Sequence, residues 1–302
     1  MRIGIDVGGT KIEAVALDDH RHIRLRRRVA TPRGDYEATL RVIAELANAF
    51  KAELREPCTI GIGIPGTLSP ATGLIKNSNS VWLIGQPLDR DLEQLVGQPL
   101  RISNDANCFA LSEARDGTAA AAAVVFGVII GTGTGGGIVV HGRVIDGRHH
   151  IAGEWGHNPL PWPERDEWPG PTCYCGRTGC IETFLSGPGL TRAYHLRTAQ
   201  VVQAVEVVRR AENGEPAAAQ VLAEYERRMA RALASVINVL DPDVIVLGGG
   251  LSNVDRLYTN VPRLWAPFVF SDRATTPLVR PAHGDSSGAR GAAWLWEEES
   301  SE

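Results

Sequence analysis

The stretch VVFGVIIGTGTGGGIVV, residues 124–140, decides how the chain is read. A β-branched apolar run enters a loop of five glycines and two threonines, and an equally β-branched run, Ile138-Val139-Val140, leaves it. The loop matches G-x-G-x-x-G from Gly131 to Gly136, but a dinucleotide fingerprint must open a helix, so that the pyrophosphate sits on the helix N-terminus. The run that leaves this loop suits a strand, which disfavours a nicotinamide-dependent oxidoreductase. No Gly-Lys-Ser/Thr triplet closes the loop, so it is not a Walker A motif. A hairpin that only turns needs about two special residues. This one can aim backbone N–H groups at phosphate oxygens with no side chains in the way. Phosphate binding is the expectation, with a plain hairpin turn as the alternative.

The N-terminus repeats the device: a strand at 2–7, then Gly8-Gly9-Thr10, then a strand at 11–17. Two copies about one domain-length apart suggest an internally duplicated α/β chain, divided near Gly117-Thr118. The expected domains are 1–117, completed by a closing helix from about Gly288, and 118–287. Asp6 ends the first strand against the glycines. A carboxylate there can hold a hydrated Mg²⁺ that bridges nucleotide phosphates, or simply form the turn. Lys11 reads equally as a phosphate contact or a solvent-facing lysine. Further expected elements are a strand at 23–30, a helix over 35–51 with Asp35 as N-cap, and a buried strand at 59–64. A short strand at 101–104 leads into a helix at 106–115. Beyond the cysteines come helices at 201–210 and 216–239, a strand at 244–247, a helix at 288–296 and an acidic tail at 297–302.

With 43% hydrophobic and 22% charged residues, the 302-residue chain has an ordinary globular composition and length for one large or two ordinary domains. A net charge of −4 gives no reason to expect nucleic acid or an anionic membrane as partner. The basic run R-H-I-R-L-R-R-R at 21–28 overlaps a strand and reads as a charge-defended sheet edge. No signal peptide or membrane-length apolar run is present, so the expected location is cytoplasmic.

Three cysteines, Cys173, Cys175 and Cys180, lie around Gly176 and Gly179, with His157 a short loop upstream. Three sulfurs and one imidazole nitrogen form a closed tetrahedral set for structural Zn²⁺; reduced core thiols are the alternative. Asn104-Asp105-Ala106-Asn107 stands where strand passes into helix. Capping explains it; so does a base, Asp105, that accepts the proton of an attacking hydroxyl in phosphoryl transfer. Asn104, Glu154 and Glu182 suit vicinal hydroxyls of a polyhydroxy ligand, and the second ring nitrogen of His157 could face the same ligand.

Collectively these residues resemble the ROK family of sugar kinases and related repressors, within the actin/hexokinase superfamily. The segments are I-D-V-G-G-T-K at 5–11, G-I-P-G at 63–66, N-D-A-N at 104–107, G-T-G-T-G-G-G, E-W-G-H at 154–157, C-Y-C-G-R-T-G-C-I-E-T at 173–183 and D-P-D-V-I-V-L-G-G-G at 241–250. The resemblance implies a two-domain actin/hexokinase-like (ribonuclease H-like, duplicated) α/β fold. It also implies an interdomain cleft, a structural zinc site and, by analogy, a homodimer. It implies ATP and Mg²⁺ at Gly4, Asp6, Gly8, Gly9, Thr10, Lys11, Gly131, Thr132, Gly133, Thr134, Gly135, Gly136 and Gly137, with adenosine by Gly249 and Gly250. Asp105 would be the base, and Asn104, Glu154, His157 and Glu182 the sugar contacts. Within the family the chain is similar to bacterial fructokinases, on A-G-E-W-G-H-N-P-L-P-W at 152–162 and related strings. The implied reaction is phosphorylation of the 6-hydroxyl of a hexose, D-fructose first. N-acetylglucosamine, mannose and glucose are alternatives; the N-acetylglucosamine branch usually carries Phe where this chain has Trp155. A sugar-responsive repressor is disfavoured, because a strand opens at Arg2 and leaves no room ahead of it for a helix-turn-helix.

Overall fold

A computed structural model describes residues 1–284 and 287–296. The strands and helices run β1 (Arg2–Val7), β2 (Lys11–Leu17), β3 (Ile23–Ala30), α1 (Tyr36–Leu54), β4 (Thr59–Ile64), β5 (Thr67–Leu68), β6 (Ile75–Lys76), α2 (Leu88–Val96), β7 (Arg101–Asn104), α3 (Asp105–Asp116), β8 (Val124–Ile130), β9 (Thr134–Val140) and β10 (Arg143–Val144). They continue as α4 (Ile181–Leu185), α5 (Gly187–Thr198), α6 (Ala204–Glu212), α7 (Pro216–Leu240), β11 (Val244–Gly248), α8 (Asp255–Trp265), β12 (Leu278–Val279) and α9 (Ser287–Ala293). The acidic tail expected at 297–302 lies outside the described residues. No described helix is long and apolar enough to cross a membrane.

The chain divides into two compact units. One comprises Met1–Ala123, Gly137–Ala152 and Pro281–Glu302; the other comprises Val124–Gly136 and Gly153–Arg280. The expected boundaries therefore need correction, because 137–152 groups with the N-terminal residues. Gly137 is the reason: a Cβ there would come within 2.4 Å of the Ala106 carbonyl oxygen, so only glycine lets β9 press on the first turn of α3.

The two five-stranded sheets have the same plan, β3-β2-β1-β4-β7 and β10-β9-β8-β11-β12. In the first, β1 pairs antiparallel with β2 and parallel with β4; in the second, β8 pairs parallel with β11 and β11 with β12. Alternating isoleucines of β1 and β4 (Ile3, Ile5, Ile60, Ile62) are fully buried in one cluster with Ile43, Ala47 and Phe50 of α1. Asp35 caps α1 by accepting from the Ala38 N–H at 2.9 Å. At the sheet edge, Arg26 and Arg28 of β3 each reach the buried Glu13 at 2.8 Å. The charge of the basic run is thus partly neutralised within the sheet.

Helix α9 closes the first unit. Its S-G-A-R-G-A-A sequence lets it lie directly on backbone: a Cβ at Gly4 would fall 1.9 Å from the Ala289 oxygen, at Gly61 1.8 Å from the Ala292 oxygen, and at Gly291 1.6 Å from the Cys108 oxygen. Burial raises the Asp116 carboxyl, but hydrogen bonds from His283 and Arg290 outweigh it and hold the group below the usual carboxylate range. The same bond, His283 Nε2 to Asp116 Oδ1 at 3.1 Å, raises the imidazole above 6.5. A histidine raised on folding stabilises fully below its unfolded value and loses that contribution as pH climbs through the folded one. His283→Gln should therefore cost up to about 1 kcal/mol near pH 6 and much less at pH 8.5. Melting curves of both proteins across that range check it; a constant difference overturns the role of the pair.

Candidate active site

In the first unit, the β1–β2 turn exposes Gly9 and Thr10, with Lys11 half-buried behind them. The Gly8 N–H bonds the Lys11 carbonyl at 2.9 Å. Thr31 Oγ1 donates to the Gly8 carbonyl at 2.7 Å and Arg33 Nε to the Gly9 carbonyl at 2.6 Å. Sequence reasoning missed Arg33, a cation at the loop tip; its sole signal was an ordinary Pro-Arg-Gly turn. Asp6 stands behind the turn with Gly288 of α9 against its carboxylate. Burial, then the charges of Asp105 and Glu13, push Asp6 up to about 7 against the pull of Lys11. That surplus of negative charge fits a divalent cation. Gly4 is not at this surface. It is buried beneath α9, and its lack of a side chain serves helix packing.

At the β7–α3 junction, Asn104 is the N-cap of α3, accepting from the Ala106 N–H at 2.9 Å while its Nδ2 donates to the Gly66 carbonyl at 3.1 Å. Asp105 Oδ1 accepts from the same N–H at 2.8 Å. Capping thus occupies Asn104 and one oxygen of Asp105; Asp105 is half-buried at the start of the helix.

The second glycine turn lies between β8 and β9 in the other unit. The Gly131 N–H bonds the Gly133 carbonyl at 2.9 Å, and the Gly131 carbonyl accepts from Gly187 N–H at 2.7 Å. Glu182 Oε2 accepts from the Thr134 N–H at 2.9 Å, and a Cβ at Gly133 would strike that carboxylate at 2.6 Å. Glu182 therefore shapes the turn, whatever else it touches. Gly135 offers its carbonyl to Trp155 Nε1 at 3.0 Å. Gly136 packs on Phe126 and Gly137 on α3, so these two are glycines for close packing. Gly131, Thr132 and Gly250 border a cavity of about 1090 Å³, with Gly187, Leu251 and Val254. Gly249 adopts φ +80° and packs against the Ile130 backbone, so it makes the turn that sets Gly250 there.

His157, Cys173, Cys175 and Cys180 converge, with all four ligand atoms within 4.8 Å of one another. Cys173 Sγ lies 3.6 Å from His157 Nδ1, and Cys175 Sγ 3.6 Å from Cys180 Sγ. Tetrahedral zinc with Zn–S of about 2.3 Å demands such edges, so the residues fit the metal. All three are free thiols, and burial pushes Cys180 up to about 12. The other ring nitrogen, Nε2, meets the Tyr174 hydroxyl at 3.0 Å. Tyr174 is a residue the sequence did not flag. Partial desolvation, then the Glu182 and Glu154 carboxylates, push its hydroxyl up to about 12. Glu154, His157, Tyr174 and Glu182 thus form one polar face in this unit.

The ROK family profile matches residues 2–299. The chain is 39% identical to the N-acetyl-D-glucosamine kinase of Vibrio cholerae serotype O1 over 302 residues, covering 98% of this chain and 99% of that one. Among solved structures it is similar to the ROK hexokinase of Thermus thermophilus (TM-score 0.86, 32% identity, 97% and 96% coverage). It is also similar to a ROK family glucokinase of Streptomyces griseus in complex with glucose and AMPPNP (0.77, 27%, 97% and 97%). These likenesses carry the α/β, actin/hexokinase-like fold. They do not bear out the particular similarity to fructokinases. Trp155, the residue weighed between branches, is 4% exposed and packs edge-on against Phe126 at 5.7 Å, so it reports core packing and not the sugar. Matched from end to end and carrying both glycine turns, the NDAN junction and the cysteine loop in order, the chain belongs to the ROK family.

Proposed function

We propose that the chain is an ATP- and Mg²⁺-dependent sugar kinase that phosphorylates the 6-hydroxyl of N-acetyl-D-glucosamine. The observation that carries the choice of sugar is the full-length 39% identity to a kinase of that name. D-fructose, favoured from sequence strings alone, becomes one of the sugars the test must include.

In this reading Asp105 accepts the proton of the sugar hydroxyl as its oxygen attacks the γ-phosphorus. The bond from that phosphorus to the β–γ bridging oxygen breaks, ADP leaves, and a phosphomonoester remains. The carboxylate orients the nucleophile, and most of the catalysis is positioning plus electrostatics. Asp6 would hold Mg²⁺, which neutralises phosphate charge. Gly8, Gly9, Thr10 and Lys11, with Gly131 to Thr134, would cradle phosphates through backbone N–H groups. The cavity beside Gly250 has the size and apolar walls for an adenosine. Asn104, Glu154 and Glu182 would receive sugar hydroxyls, and Tyr174 would join them beside His157. One Zn²⁺ on His157, Cys173, Cys175 and Cys180 would stiffen the loop that carries this face.

ADP release measured with Mg-ATP should give the highest kcat/KM for N-acetylglucosamine among it, fructose, glucose and mannose. Fructose leading would place the chain with the fructokinases instead, and no turnover on any of the four would sink the kinase assignment.

Asp105→Asn keeps an oxygen for the Ala106 N–H and should fold normally. Its kcat should drop by about 10²–10⁴-fold with sugar affinity little changed, as read by steady-state kinetics and equilibrium binding. Substantial retained turnover would remove Asp105 from its role.

Metal analysis should find one zinc per chain. Cys175→Ala or a chelator should lower the melting temperature, and zinc should be held less tightly as pH falls, because the thiols must lose protons to bind it. Active protein that contains no zinc would refute the site.

A further inference from the structure

At the C-terminal end of α3, a cavity of about 510 Å³ lies within the first unit, bordered by Arg21, Arg115, Ala120–Ala123, the His141-Gly142 turn and Trp294. A smaller one of about 220 Å³ shares Arg115, Gly142 and Trp294 with it. Arg115 is the anomaly. Its guanidinium has no carboxylate or carbonyl acceptor among the described residues, and its Nε is buried without a partner. The neighbouring Asp116 is already taken by Arg290 and His283. Gly142, at φ +72°, lets the β9–β10 turn lie on the guanidinium; a Cβ there would sit 3.3 Å from Arg115 Cζ.

The walls carry buried donors without partners, beside the carboxylates of Asp19 at the larger cavity and Asp146 at the smaller. Trp294 is 8% exposed, and its Nε1 is a second buried donor without a partner. Arg21 closes the rim. Its Nη1 donates to the Arg115 carbonyl at 3.2 Å, which occupies an oxygen at the helix end that would otherwise repel an anion. Its guanidinium lies 6.0 Å from the Trp294 ring centroid. The carboxylates at the two cavities have their own partners: Asp19 pairs with Arg2 at 3.3 Å, and Asp146 holds Asn107 Nδ2 at 3.2 Å.

We propose that Arg115 and Arg21 form a binding site for an oxyanion of the phosphate class, either inorganic phosphate or the phosphoryl group of a small phosphomonoester. An acceptor-only dianion would give the Arg115 guanidinium, which has no acceptor among the described residues, a partner, and guanidinium groups match its geometry bidentately. The site stands about 15 Å along α3 from Asp105, at a rise of about 1.5 Å per residue. It does not rest on the assigned reaction, because its test needs no turnover.

The test is calorimetric titration of the full chain with inorganic phosphate against chloride at equal ionic strength. N-acetylglucosamine 6-phosphate is the second arm, and the variants are Arg115→Gln and Arg21→Gln. Among the described residues Arg115 has no ion pair to break, so its glutamine variant should melt as the wild type does in chloride. Saturable phosphate binding should weaken about 10-fold in Arg115→Gln and about 3-fold in Arg21→Gln. If the sugar phosphate binds more tightly than free phosphate and is weakened by the same variants, the occupant is a phosphomonoester. If only free phosphate is so weakened, it is the inorganic ion. Equal binding of both ligands to wild type and Arg115→Gln overturns the site, since phosphate then sits at the glycine turns or acts as a general stabilising salt. Absence of saturable binding overturns it as well. Should Arg115→Gln fail to fold, unchanged affinity in Arg21→Gln overturns the site in its place.

Discussion

Backbone-to-backbone contact between α9 and its neighbours is the constraint on which the first unit depends. Gly4, Gly61 and Gly291 let the helix approach β1, β4 and α3 so closely that a methyl group at any of the three would have to occupy the position of a carbonyl oxygen. Such an approach leaves no room for adjustment, because a packed interior yields little. Gly288 then stands against the Asp6 carboxylate, so the same helix that seals the sheet also fences the acidic group at the end of β1. Packing and site chemistry share one element. A change made for stability in α9 is therefore a change beside the carboxylate.

The glycine-rich turn of the second unit divides its labour residue by residue. Its early members border a cavity, Gly136 makes room for Phe126, and Glu182 holds the middle by accepting from Thr134, whereas Gly137, which groups with the first unit, makes room for α3 there. A run that reads as uniform in sequence thus carries two physical jobs, ligand-facing and close-packing, separated by two or three positions. Glu182 links this turn to the cysteine loop, two residues after Cys180. The cysteine cluster, Tyr174 and the glycine turn consequently form one connected polar region.

Much of this was legible in advance, for identifiable reasons. Asp35 marked the start of α1 because a capping carboxylate leaves a strong local signature, and the helix of 216–240 declared itself by its length. The strand-turn-strand pairs at both ends of the duplication followed from β-branched runs around glycines. The cysteine spacing anticipated that His157, Cys173, Cys175 and Cys180 come together, because that convergence depends on a short local loop. What escaped depended on distant partners. Gly4 looked like a nucleotide contact, yet the chain that meets it lies nearly 300 residues on. Arg33 and Tyr174 carry no motif of their own, and only folding brings them to Gly9 and His157. Helix α8 was hidden by Pro262 inside it. The branch similarity to fructokinases rested on strings such as 152–162 and is not borne out by the relatives; Trp155 within that string is buried against Phe126, so it carries little about the sugar.

The placement of α9 bears on the order in which the protein can fold during synthesis. Every residue of the second unit, Val124–Gly136 and Gly153–Arg280, precedes Pro281 in the chain. All of that unit's residues are therefore made before α9. The first unit begins earlier but must wait, with the face of β1 and β4 uncovered, until Ser287–Ala293 emerges. Its apolar strands are therefore exposed longest in the unit made first, a reversal of the usual N-to-C sequence of domain folding. A nascent chain stalled before residue 287 would present that open sheet to chaperones and to other unfinished copies.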